Sequence, residues 1–135
     1  MKLNDLLTAN EPLKRLSEKR FASYKKMREL VKLRKAVEGE MEFYLSEEQK
    51  AIKTYAELDG NGSPVFLADG RLRLKDMEAK IAFENEISAL RETDVEGISP
   101  ITLCESDFRT TEDIPTVDDM IALEGIIIFE DSKRR

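Results

Sequence analysis

The sequence predicts a mainly α-helical protein with minor β-structure: one long helix that Gly39 can bend, a small β-hairpin, a second amphipathic helix and a short C-terminal helix. Three observations carry this expectation. First, Leu30, Leu33, Val37, Met41, Tyr44, Ile52 and Tyr55 recur at steps of three and four, a helical stripe interrupted only by Glu48. Second, Asp59-Gly60-Asn61-Gly62-Ser63-Pro64 is a dense stop-and-turn signal. Third, Val65-Phe66-Leu67 and Arg71-Leu72-Arg73-Leu74 flank Ala68-Asp69-Gly70, the pattern of two short strands around a turn. A chain of 135 residues favours one domain, 1–135, with the hairpin as an insertion near 65–74.

Residues 3–9 form a short amphipathic helix with Leu3, Leu6 and Leu7 on one side. Asn10-Glu11-Pro12 then reads as a fresh helix start, with Asn10 accepting from free backbone amides and Pro12 in the first turn. The main helix spans about Lys19 to Leu58. Unbroken, it would be roughly 60 Å long, against a radius of gyration of about 14 Å for a compact domain of this size. Such a helix protrudes, pairs with another chain or breaks, and Gly39 is the place for a bend. Asp76 caps a third helix over 77–92, whose apolar residues are Met77, Ile81, Phe83, Ile87 and Leu90. Val95 to Leu103 is extended, and a polar loop runs to Pro115. Thr116 and Asp119 make a capping box for a last helix with Met120, Ile121 and Leu123 inward. Gly125 ends that helix, and Ile126–Phe129 leaves as a strand or buried tail.

Charge is polarised along the chain. Residues 14–35 hold 10 basic and 2 acidic side chains, or +8; residues 36–59 hold 7 acidic and 2 basic, or −5. Over 92–131 there are 12 acidic side chains and one basic, Arg109, or −11. Ends of opposite sign either meet each other or meet a partner. The whole-chain charge of −6 opposes wholesale coating of nucleic acid, but leaves one basic face available. The 37% charged fraction fits solvated helix faces better than disorder, because the apolar residues are periodic.

The chain has no histidine, which removes the commonest general base, the nucleophilic triads and the commonest metal ligand. Cys104, the sole cysteine, has no histidine to activate it and no partner for an intramolecular disulfide. Asp59-x-Asn61-x-Ser63 imitates the opening of a calcium loop, but Pro64 and Gly70 stand where that loop needs glycine and a bidentate glutamate, so a plain turn is the expectation. Gly60-Asn61-Gly62 is not a phosphate loop, because no helix follows it. The acidic pairs Glu38/Glu42, Glu105/Asp107 and Asp118/Asp119 read as solvated faces and caps rather than acid–base dyads. The candidate interaction residues are Lys25, Lys26, Arg28, Lys32 and Lys35, with Phe21 and Tyr24 as aromatics available for stacking. Their bland reading is a solvated face, or an electrostatic mate for the acidic C-terminal part. No catalytic residue, metal site or cofactor is expected.

The amino terminus lacks the apolar run of a signal peptide, and the longest apolar run, Ile126–Phe129, is too short to cross a bilayer. A cytoplasmic protein is therefore expected. The chain resembles a family of small phage and prophage proteins of Gram-positive bacteria, a domain of unknown function. The residues carrying the likeness are Leu13-Lys14-Arg15-Leu16, Phe21, Ser23-Tyr24-Lys25-Lys26, Glu40-Met41-Glu42-Phe43-Tyr44, Tyr55, Asp59-Gly60-Asn61-Gly62, Gly70-Arg71-Leu72-Arg73-Leu74 and Asp118-Asp119-Met120-Ile121-Ala122-Leu123-Glu124. The resemblance implies a viral setting, in host cytoplasm or virion, and supplies no catalytic residues. The combined expectation is a non-enzymatic interaction or assembly-accessory protein acting through its long helix. Its partner would be a viral or host protein or a second copy. The alternative is a nucleic-acid-associated protein using residues 14–35.

Overall fold

A computed structural model of the protein describes Met1–Glu130; Asp131, the last acidic residue of the C-terminal stretch, lies outside the described residues. The elements are α1 (Leu3–Ser17), α2 (Tyr24–Tyr55), α3 (Met77–Arg91), β1 (Ile101–Cys104), two 3-10 turns (Glu105–Asp107 and Thr111–Asp113), α4 (Val117–Ala122) and β2 (Ile127–Glu130). The fold is mainly helical with minor β-structure, and the long helix runs on through Gly39. The backbone divides into two compact units. Unit 1 joins Met1–Met41 to the chain from Asp94 onward, and unit 2 is Glu42–Thr93.

Unit 1 is built around leucines. Leu6, Leu13 and Leu16 of α1, Leu30, Leu33 and Val37 of α2, and Leu103, Leu123, Ile126 and Ile127 form one buried cluster. This cluster makes α1 a single helix, where two were expected. Pro12 sits inside it and removes the amide that would donate to the Thr8 carbonyl, at a cost of about 3 kcal/mol. Burying Leu6, Leu13 and Leu16 on one face contributes about 1.5–3 kcal/mol each, which outweighs that loss. The Asp5 carboxylate accepts the Lys2 amide at 2.9 Å, closing the helix start.

The chain leaves α1 at Ser17 and does not resume a helix until Tyr24, five residues later than expected from periodicity. Phe21 bridges antiparallel to Phe108, with Ala22 N–H on Asp107 O at 2.7 Å and Arg109 N–H on Arg20 O at 2.9 Å. Ser23 Oγ accepts the Lys26 amide at 3.3 Å and so caps α2. β1 and β2 pair in parallel, Ile101 opposite Ile127 and Leu103 opposite Phe129. Parallel strands need a crossover, and the 3-10 turns and α4 supply it. Thr116 caps α4 by accepting the Asp119 amide at 3.2 Å. Leu123 is buried as expected, whereas Ile121 is exposed and not inward.

Unit 2 contains the second half of α2, the turn, the hairpin and α3. Asp59 Oδ1 accepts the amides of Asn61 at 2.8 Å and Ser63 at 3.0 Å, so this carboxylate organises its own turn. α2 stops at Tyr55, because Ala56 and Leu58 turn to antiparallel bridges with Leu74 and Pro64. The hairpin forms where expected: Phe66 bridges Leu72, Leu67 N–H meets Arg71 O at 2.7 Å, and Gly70 supplies the positive φ of 86° at its tip. Asp76 Oδ1 accepts the Ala79 amide at 2.7 Å and caps α3. Polar contacts hold α3: Tyr55 donates to Glu86 at 2.8 Å, and Arg91 donates to the Tyr44 hydroxyl at 3.2 Å. Burial pushes the Tyr44 hydroxyl pKa up and Glu48 adds to it, against Arg91.

The two units differ in what they bury. The buried apolar residues of unit 2 are Tyr44, Ala51 and Ala56, and α3 buries none fully. Leu103→Ala should therefore cost about 2–5 kcal/mol in urea unfolding, whereas Ile81→Ala in α3 should change a monomer's stability by only about 0.5 kcal/mol.

Candidate functional site

The basic segment does not act as one surface. Lys25, Arg28, Lys32 and Lys35 are exposed on α2 at steps of three, four and three, which places them on one face. Among the described residues, no ion pair or side-chain hydrogen bond engages any of them. Tyr24 opens the helix and is 74% exposed. Tyr24, Lys25, Arg28, Glu29 and Lys32 line an open depression of about 440 Å³.

Two of the expected interaction residues are elsewhere. Phe21 is 3% exposed and stacks at a 5.0 Å centroid distance on Phe108, so its ring is a core group and presents nothing to a partner. Lys26 turns to the protein, with Nζ 2.8 Å from the Thr102 carbonyl and 3.7 Å from Glu29. Lys26 stands four residues before Leu30 on the apolar stripe, and that spacing is a signal which could have separated it from its neighbours. Arg34 is likewise engaged, by Glu38 at 3.0 Å and the Ser17 hydroxyl at 2.6 Å.

The front of the basic segment meets the acidic C-terminal part inside unit 1. Arg15 grips Asp119 through two bonds, Nη2–Oδ1 at 2.7 Å and Nε–Oδ2 at 3.2 Å. Asp119 was expected to complete a capping box; its carboxylate serves Arg15 and only its amide serves the cap. The Arg15 bond holds the Asp119 carboxyl below the usual carboxylate range, with Lys19 assisting. At Asp113, desolvation works upward, but the Thr110 hydroxyl at 3.0 Å, the Arg20 amide at 3.3 Å and nearby Lys19 bring the net shift down.

The remaining acidic pairs have structural employment in part. Asp107 is buried and accepts the Cys104 amide at 2.9 Å, with the Cys104 thiol 3.4 Å from the same carboxylate oxygen. Among the described residues, no group of three or more acidic or cysteine side chains is placed to share a metal ion, and no helix is long and apolar enough to cross a membrane.

A second surface lies in unit 2, where the apolar residues of α3 were read from the sequence without being assigned a docking role. Met77 is 67% and Ile81 53% exposed. Leu67, Leu72, Leu74, Met77 and Phe83 line an open groove of about 480 Å³, together with the charged Arg71, Arg73, Asp76, Lys80 and Glu84. Phe66, from the hairpin, and Phe43 and Leu45, from α2, are also exposed. Comparison with family models, with curated proteins and with solved structures finds no match to this chain.

The Arg15–Asp119 pair has a definite pH signature. A carboxyl whose pKa is lowered by folding stabilises the fold fully above its unfolded value, and that contribution is lost as pH falls through the folded value. Asp119→Asn should lower the melting temperature at pH 7, and the gap from wild type should close once the pH falls well below the ordinary value of 3.8. A pH series of thermal melts on the two proteins checks this.

Proposed function

We propose that the protein is a non-enzymatic interaction or assembly-accessory protein, of a phage or prophage setting, acting through its long helix and the apolar surface of unit 2. The observation that carries this reading is the poverty of unit 2's own core. Its hairpin and α3 keep Phe66, Met77 and Ile81 in water while burying little in exchange. A unit of this size has little capacity to form a core alone, and exposed apolar surface in such a unit is the mark of a docking face. The occupant favoured is a second copy of the chain. Each copy has the same deficit, and a two-fold pairing satisfies both at once. A non-enzymatic role accords with a chain without histidine, whose one thiol is tied to a buried carboxylate.

Light scattering across a concentration series tests this. Wild-type protein should move from monomer to dimer as concentration rises, with little effect of salt. The double variant Met77→Lys/Ile81→Lys should remain monomeric with its helical circular dichroism retained. A wild-type chain that stays monomeric throughout would contradict the reading. A specific observation, the exposed cations of α2, also favours a nucleic-acid role.

A further inference from the structure

The cationic face of α2 lies within unit 1 and stands independently of the self-association proposed above. Lys25, Arg28, Lys32 and Lys35 extend over about 15 Å of helix at 1.5 Å per residue. With Tyr24 and Val31 they occupy a sector of roughly 120° on a helix of 3.6 residues per turn. Glu29 and Glu38 flank this sector. Glu29 is held by Lys26 and Glu38 by Arg34. The carboxylates nearest the face are thus engaged by cations outside it, and among the described residues none forms an ion pair with the four cations on it.

This arrangement works against the helix that carries it. The first turn of α2 contains no acidic residue, whereas Asp5, Glu78 and the pair Asp118 and Asp119 occupy the first turns of α1, α3 and α4. A helix N-terminus carries partial positive charge, so cations there are unfavourable. Like charges three and four residues apart repel by a few tenths of a kcal/mol per pair. A face that served only for solubility could alternate its signs at no such cost. An anion of extended shape would turn each of these unfavourable terms into attraction.

We propose that this face binds the phosphodiester backbone of single-stranded nucleic acid, with Lys25, Arg28, Lys32 and Lys35 on successive phosphates and the Tyr24 ring stacked on a base. The stacking ring favours a single strand over a duplex, because only unpaired bases offer their faces. The open depression beside Tyr24 is lined also by Lys25, Arg28, Lys32 and Glu29, whose carboxylate is 3.7 Å from Lys26 Nζ, and it leaves room for a base. A lipid surface fits less well, since Tyr24 and Val31 are the exposed non-charged groups of this half of the helix and neither is a long apolar anchor.

Fluorescence anisotropy with labelled oligothymidylate of about 16 nucleotides, near the upper site size of small single-strand modules, tests the proposal. Affinity should fall with salt on a log–log slope approaching about −2.8, the value for four phosphate contacts on a single strand. The variant Lys25→Gln/Arg28→Gln/Lys32→Gln/Lys35→Gln should bind at least about tenfold more weakly at low salt and lose the slope. Its melting temperature should equal or exceed that of wild type, because repulsion along the face is relieved. Should it fail to fold, Lys32→Gln/Lys35→Gln should halve the slope. Tyr24→Ala should weaken binding about fivefold or more. The proposal is overturned if wild-type protein ignores the oligonucleotide at low salt, or if the variants bind as wild type does. It is overturned equally if an unrelated duplex is preferred, or if only phosphatidylserine-containing vesicles are bound.

Discussion

Closure of one leucine-rich cluster is the interaction on which unit 1 depends. The apolar faces of α1 and the first half of α2 meet the β1–β2 pair and the residues leading into it, Leu123 and Ile126. Every other arrangement in the unit follows. Pro12 is tolerated inside α1 because Leu6, Leu13 and Leu16 must be on one continuous face. Phe21 is drawn inward onto Phe108 because the link between α1 and α2 runs along the segment after β1. Asp107 accepts burial because its carboxylate takes the Cys104 amide there, satisfying a group that would otherwise be costly to desolvate. The Arg15–Asp119 pair then joins the outer side of α1 to α4. Its paired hydrogen bonds give direction to the contact more than strength, since Arg15 is largely exposed.

Unit 2 obeys a different economy. Its backbone is well satisfied: the Asp59 turn, the three antiparallel bridges and the Asp76 cap give its amides partners. Its side chains have less to bury. α3 is held by hydrogen bonds from Tyr55 and to Tyr44, together with half-buried Phe83, Ile87 and Leu90, but by no fully buried residue. Well-bonded backbone under exposed apolar side chains is the condition in which a second chain adds most, because the geometry is prepared and the apolar area is still available.

What could be read from the sequence was local. The 3.6-residue stripe of α2, the turn at Asp59, the hairpin around Gly70 and the caps at Asp76 and Thr116 each depend on residues a few positions apart, and each is present. The non-local features were not legible. No spacing announces that Ile101 will lie beside Ile127, or that Asp119 will serve Arg15 more than its own helix. The continuity of α1 through Pro12 depends on tertiary burial that overrides a local stop. The candidate site divides in the same way. Lys25, Arg28, Lys32, Lys35 and Tyr24 were visible as a charged helical run with an aromatic, and they are exposed. Phe21 precedes the helix, so no periodicity could assign it to the core. Met77 and Ile81 have the periodicity of buried residues, and only the arrangement of unit 2 shows that nothing in that unit covers them.

The central claim is that unit 1 is complete within one chain while unit 2 is finished by another. Amide hydrogen exchange, followed by mass spectrometry at low and high protein concentration, tests it most directly. The account predicts slow exchange in α1, the first half of α2 and both strands at every concentration. It predicts fast exchange in the hairpin and α3 when dilute, slowing as concentration rises. Equal protection of α3 and α1 in dilute protein, unchanged by concentration, would contradict it.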